Sequence, residues 1–214
     1  MRCMKVCVLT ALVAVACVSQ ASAQLGNASF ESPILDVTMP GGGSFPFLGA
    51  WSAFAPANAS FGNSAVMPRT GALSGELSLS TGNNFSVMWQ DVAVVPGEMW
   101  TYSGYHKTPS SPFDAGIEWR IEWKSSTEGG LGQAGNFTMP LTASYEQFST
   151  TVTVPAGVAY ARPVYAIQSF STNPLGNGTV FIDDFSFTLV PEPAAMTLLV
   201  LSAFGLVGLR RRRR

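Results

Sequence analysis

The chain has 214 residues and a formal net charge of −1, from 12 Lys and Arg against 13 Asp and Glu. Charged residues make up 12% and hydrophobic ones 47%, which argues against a disordered chain; the lack of a basic excess argues against a nucleic-acid binder. The length suits one domain, yet the charge is unevenly spread: Arg2 and Lys5 open the chain, Arg210 to Arg214 close it, and residues 24–190 hold twelve acids and five bases, a net charge of −7.

In chain order, the first element is a secretory signal. Arg2 and Lys5 precede an almost unbroken apolar run from Val6 to Val18, and Ala21-Ser22-Ala23 is a small-x-small site before Gln24. A basic start, an apolar centre and a small-residue end are read by the export machinery, so residues 1–23 are expected as a signal helix cleaved after Ala23. Cys3, Cys7 and Cys17 are the only cysteines and all fall inside it. The mature chain then has no thiol for a disulfide, a nucleophile or a metal.

Residues 24–190 carry strand signals and no helix-length amphipathic pattern. Strands are predicted at 86–94, 98–106, 116–124, 147–154, 159–168 and 179–189. Val95-Pro96-Gly97-Glu98, Thr108-Pro109-Ser110, Glu128-Gly129-Gly130 and Val154-Pro155-Ala156-Gly157 punctuate them as turns. The clearest strand alternates Ile117, Trp119, Ile121 and Trp123 with Glu118, Arg120, Glu122 and Lys124. One face is therefore core and the other solvated, with alternating signs. Many short strands at this spacing predict an all-β antiparallel fold, a sandwich or a barrel.

The C-terminus has three parts: Pro191-Glu192-Pro193, an uncharged run of 16 residues from Ala194 to Leu209, and five arginines. The run lies at the short edge of a bilayer span, where about 17–25 residues is usual. The arginines after it would stay on the cytoplasmic side, so they read as a topology anchor rather than a nucleic-acid patch. Val190-Pro191-Glu192-Pro193 with the span and the basic cluster resembles the PEP-CTERM sorting signal of Gram-negative bacteria. The resemblance covers about 25 residues. It implies a C-terminal transmembrane helix in the inner membrane, cleavage near the motif by an exosortase-type membrane protease, and delivery to the cell surface or the extracellular polysaccharide matrix.

The body resembles a galactose-binding-like jelly roll of the kind found in carbohydrate-binding modules. The residues that carry this are Gly26-Asn27-Ala28-Ser29-Phe30-Glu31-Ser32-Pro33, Gly49-Ala50-Trp51, Met88-Trp89-Gln90-Asp91-Val92, Trp100-Thr101-Tyr102-Ser103 and Val180-Phe181-Ile182-Asp183-Asp184-Phe185-Ser186-Phe187. Gly41-Gly42-Gly43 and residues 125–137 depart from the pattern and read as loop insertions. The expected organisation is a signal peptide at 1–23, a jelly-roll β-sandwich at 24–190 and a sorting and anchor segment at 191–214.

The resemblance implies a structural calcium where the N-terminal and C-terminal strands meet, with Glu31 and one of Asp183 and Asp184 as ligands. Hard cations take clustered oxygen ligands. Period 2 sends Asp183 and Asp184 to opposite faces, so at most one serves a given site, and the sequence leaves open which. Pairing of these acids with Arg69 or Arg162 is the other reading. Sugars stack on aromatic rings and bond to planar polar groups. Trp119 and Trp123 read as core, as does Trp51, whereas Trp89 is off-phase from Met88, Gln90 and Val92, and Tyr105 and His106 end a strand. Trp89, Tyr105 and His106 are therefore the candidate ligand-binding residues. No catalytic residue is expected: His106 is the only histidine, and Arg120 and Lys124 keep Glu118 and Glu122 ionised rather than poised as acids. Two functions stay open, a non-catalytic surface module that binds polysaccharide and a structural matrix protein with no ligand.

Overall fold

The computed structural model describes residues 25–31, 44–46, 51–109, 115–126, 129–169 and 176–191. The expected signal (1–23), Gly41-Gly42-Gly43, Glu192, Pro193 and the apolar run 194–209 lie outside the described residues. No helix among the described residues is long and apolar enough to cross a membrane.

The described chain is all β. Its strands are β1 (Ser44–Pro46), β2 (Ser52–Phe54), β3 (Ala59–Ser64), β4 (Ser74–Leu79), β5 (Phe85–Trp89), β6 (Val92–Ala93), β7 (Met99–Lys107), β8 (Gly116–Lys124), β9 (Gly130–Phe137), β10 (Glu146–Thr153), β11 (Tyr160–Gln168) and β12 (Gly178–Leu189). They form two antiparallel sheets. One runs β1-β2-β5-β11-β8-β9, with β6 also on β11, and the other runs β10-β7-β12-β4-β3. Each sheet buries one face against the other, so of the sandwich and the barrel that the strand spacing left open, the chain forms the sandwich.

The predicted strands 98–106, 116–124, 147–154, 159–168 and 179–189 are β7, β8, β10, β11 and β12, each within a residue at either end. The predicted strand 86–94 is interrupted. Gln90 and Asp91 stand outside the strand ladder, and the Gln90 side chain ties in the N-terminal segment: its amide nitrogen donates to the Gly26 carbonyl at 2.7 Å and its oxygen accepts the Gly26 N–H at 3.1 Å. β5 and β6 are the two halves on either side. Residues 125–137 are not a plain insertion: β9 pairs with β8, and the register slips twice along it. Its glycines hide it from a pattern reading, and Gly132 and Gly135 adopt positive φ there.

Ile117, Trp119, Ile121 and Trp123 all point into the core, each at most 5% exposed. Across the gap the second sheet answers with aromatics: the Trp119 and Phe148 rings lie 4.9 Å apart and Tyr165 and Phe185 5.6 Å apart. Phe148 and Phe185 come so close to β7 that a Cβ on Gly104 would stand 2.3 Å from a Phe185 ring carbon. The absence of a side chain at Gly104 lets the rings from its two flanking strands, β10 and β12, close over β7. Lys124, expected on the solvated face, is only 8% exposed; its neighbours Tyr160 on β11 and Gly130 on β9 flank it in the sheet.

The segment before β1 closes one side of the core. Residues 26–29 form a turn, and Phe30 stacks on the buried Trp51 at 5.5 Å. Trp51 donates its indole N–H to the Asn27 carbonyl at 3.1 Å, and the Phe185 amide donates to Ala28 at 2.9 Å.

Candidate ligand-binding face

The outer face of the larger sheet is built by the residues that alternate away from the core. On β5 these are Phe85, Val87 and Trp89, on β11 Arg162, Val164, Ala166 and Gln168, and on β8 Glu118, Arg120 and Glu122. Register sets them in rows: Trp89, Val164 and Arg120 form one, and Val87, Ala166 and Glu118 the next. Ala166 is small and lies between two longer side chains, so the middle strand becomes a floor. The result is a groove of about 290 Å³ lined by Phe85, Val87, Glu118, Arg120, Ala166 and Gln168. Its walls stand two strand spacings apart, about 9–10 Å.

The walls differ in chemistry. On one side Phe85 stacks on Phe54 of β2 at 5.5 Å, and Trp89 continues the apolar strip. The Arg162 guanidinium sits 5.2 Å from the Trp89 ring centre and holds Asp91 through two bonds of 2.7 Å. On the other side Arg120 is shared. It bonds Glu118 through one nitrogen and Glu122 through two more, at 2.9 and 2.8 Å. These bonds fix the groups in place, and their planar donors and acceptors flank an apolar surface.

The three predicted ligand residues do not form one site. Trp89 lies on this face. Tyr105 lies on the outer face of the other sheet, where the Arg69 guanidinium covers its ring at 3.5 Å. His106 follows it with opposite phase and is fully buried between the sheets, which corrects its expected place at an open strand end. Its Nδ1 and the Tyr165 hydroxyl bond at 2.8 Å, and burial pushes its pKa down from 6.5 to about 4.

Glu31, Asp183 and Asp184 all serve one loop, residues 66–73. The Glu31 carboxylate accepts the amides of Ala72 and Leu73 at 3.0 to 3.2 Å. Asp183 is fully buried and accepts the amides of Arg69, Thr70 and Asp184 at 2.8, 3.1 and 2.8 Å. Burial raises its carboxyl above the usual value of 3.8, and those amides pull the other way. Asp184 pairs with the Arg69 guanidinium and accepts the Thr70 hydroxyl at 2.7 Å. The period-2 expectation that only one of the two aspartates could serve a site fails here. Asp184 has φ of 48° and the register with β7 slips between Asp183 and Ser186, so a bulge turns both side chains to the loop. Gly71 is needed there: its φ is 62°, and a Cβ would fall 2.1 Å from a Glu31 oxygen.

This donor set does not suit a divalent cation. The three carboxylates face N–H and O–H donors and a guanidinium, where a cation would want free oxygens. Among the described residues no three His, Cys, Asp or Glu side chains gather as a metal group. The alternative reading, pairing with Arg69 or Arg162, holds for Arg69, which takes Asp184, whereas Arg162 takes Asp91; the backbone amides of the loop were not legible.

Residues 189–214 match the PEP-CTERM protein-sorting motif. No curated protein matches the chain. Among solved structures, a cyclase from Fischerella sp. TAU is similar with a TM-score of 0.55 at 16% identity, over 79% of this chain and 97% of that one. The enzymatically active domain of tailspike protein 4 from bacteriophage CBA120 has a TM-score of 0.54 at 15% identity, over 70% of this chain. This chain spans about a fifth of that one, 21%. A xylan-binding domain from Paenibacillus barcinonensis has a TM-score of 0.49 at 14% identity, over 72% of this chain and 99% of that one. At these identities the cyclase and the tailspike share a fold with this chain. The molecule is thus a two-sheet antiparallel β-sandwich whose C-terminal residues match a PEP-CTERM sorting motif.

Proposed function

We propose that this is an exported bacterial protein with a non-catalytic jelly-roll module that binds a polysaccharide chain along the outer face of its larger sheet. The groove between Phe85 and Val87 on one side and Glu118 and Arg120 on the other carries this reading. A sugar ring offers an apolar face to stack on aromatics and a rim of hydroxyls for carboxylate, guanidinium and amide groups. Binding suits the wall better than hydrolysis: Glu118 and Glu122 are both tied to Arg120, and neither is a free carboxyl group placed to act alone as an acid on a glycosidic oxygen.

In the same reading residues 1–23 export the chain, and the tail from Pro191 holds it in the inner membrane. An exosortase-type protease then releases it to the surface or the matrix. The loop 66–73 is closed by Glu31, Asp183, Asp184 and Arg69, in place of a structural calcium. A glycan array and a polysaccharide pull-down with protein starting at Gln24 test the binding. Retention on a linear or branched polysaccharide, weakened by Trp89→Ala and Arg120→Ala, is expected. Retention on no glycan would leave a structural matrix protein. Mass spectrometry of exported protein should show the arginine tail removed.

A further inference from the structure

The tether between the sandwich and the apolar run is very short. β12 ends at Leu189, and the Val190 amide still donates to the Met99 carbonyl at 2.8 Å. Only Pro191, Glu192 and Pro193 separate Val190 from the uncharged run that starts at Ala194. Three extended residues reach about 11 Å at most. Whatever the run enters, the end of the sandwich at Val190 stays beside it.

That end is distinctive. Two proline–glycine turns, Val94 to Glu98 and Val154 to Val158, are tied side by side there. Gly97 donates to the Val154 carbonyl at 2.9 Å and Val154 donates to the Glu98 carbonyl at 2.8 Å. Val95 is 60% exposed and Met99 46%, and Pro96, Pro155 and Ala156 are exposed around them. The one ionisable side chain in the two turns, Glu98, is folded back: its carboxylate accepts the Val95 amide at 2.8 Å and the Trp100 indole at 3.0 Å. The exposed side chains of the tip are thus mainly apolar, and its half-buried carboxylate is tied back to the turn.

We propose that, while the tail is in place, this tip lies against the lipid surface with Val95 and Met99 seated among the headgroups. The inference rests on the tail being membrane-anchored, as read above. Apolar side chains held at an interface by a tether bury their surface there without crossing it. The strands of the smaller sheet then lead away from the membrane, and the loop 66–73, which packs on Tyr105 and Asp183, is about 20 Å further out at the usual strand rise.

The test uses the chain from Gln24 to Arg214, which lacks cysteine. Single cysteines are placed at the exposed positions Val95→Cys, Met99→Cys and Val66→Cys, the last being 70% exposed on the distal loop. Each is labelled with a fluorophore and reconstituted in vesicles of phosphatidylethanolamine and phosphatidylglycerol that carry a headgroup quencher. Melting curves confirm that the variants fold. The expected result is several-fold quenching at 95 and 99 and none at 66, in protein that floats with the vesicles after alkaline washing. Floating protein with equal quenching at all three sites overturns the apposition and leaves the anchor standing. Protein that fails to float overturns both.

Discussion

His106 makes the stability of the sandwich sensitive to mild acid, and it does so alone among histidines because the chain has one. Its imidazole is fully buried, ringed by Trp119, Phe148 and Tyr165. Protonation would place a charge in an aromatic core, so burial holds the folded pKa at about 4, against 6.5 in the open chain. Above pH 6.5 both states are neutral and the full stability is present. As the pH falls towards 4 the unfolded chain gains a proton that the folded one refuses, and stability is lost. A gap of about 2.5 pH units corresponds to about 3 kcal/mol. For a body of this size that is roughly 6–12 °C in Tm. The assay is a set of melting curves from pH 7.5 to 4.5 for the wild-type and His106→Gln, which keeps a polar partner for Tyr165 but does not titrate. The raised carboxyl of Asp183 acts in the opposite sense, gaining stability as pH falls, but it is common to both proteins and cancels in the difference. NMR follows the single imidazole directly. Equal pH slopes in the two proteins, or an imidazole titrating near 6.5, would refute the reasoning.

Asp183→Asn should cost about 1–3 kcal/mol, because the new amide nitrogen must face one of three backbone N–H donors; hydrogen exchange should rise in residues 66–73. If the carboxylates and Arg69 close that loop unaided, added calcium or chelator leaves the Tm of the wild-type unchanged, and a calcium-dependent rise would contradict this. Gly104→Ala drives a methyl into Phe185 and Phe148 and should destabilise by about 1–3 kcal/mol; a neutral result in denaturant titration would show that these two rings can shift freely there. Arg120→Ala should weaken glycan retention about tenfold or more, the loss of one charge-assisted bond. Its effect on melting should stay small, since partly exposed ion pairs contribute little.

The strands legible in the sequence were those with strict alternation between proline–glycine turns. Ile117 to Lys124 shows this most clearly, and it also disclosed the Glu118, Arg120 and Glu122 wall of the groove. β3 and β4 were illegible because Ala-Ser-Phe-Gly-Asn-Ser and Ser-Gly-Glu-Leu-Ser-Leu lack β-branched residues and owe their conformation to packing. The phase of Trp89 was legible, but the floor at Ala166 was not, since it depends on which strands become neighbours. Tyr105 and His106 show the cost of a one-residue step in a strand: adjacent in sequence, they end on opposite sides of a sheet. The paired service of Asp183 and Asp184 depends on a bulge, and no local pattern announces a left-handed aspartate.

The place of β12 in its sheet has a mechanical consequence. It lies between β7 and β4 and pairs with both, and it is the strand that continues into the tail. A pull transmitted through the tail therefore runs along a central strand and loads two hydrogen-bonded ladders in shear at once. An edge strand would instead open one bond at a time, like a zip. A module gripped on its opposite sheet and tugged from its C-terminal end thus meets force in the direction in which its backbone yields least.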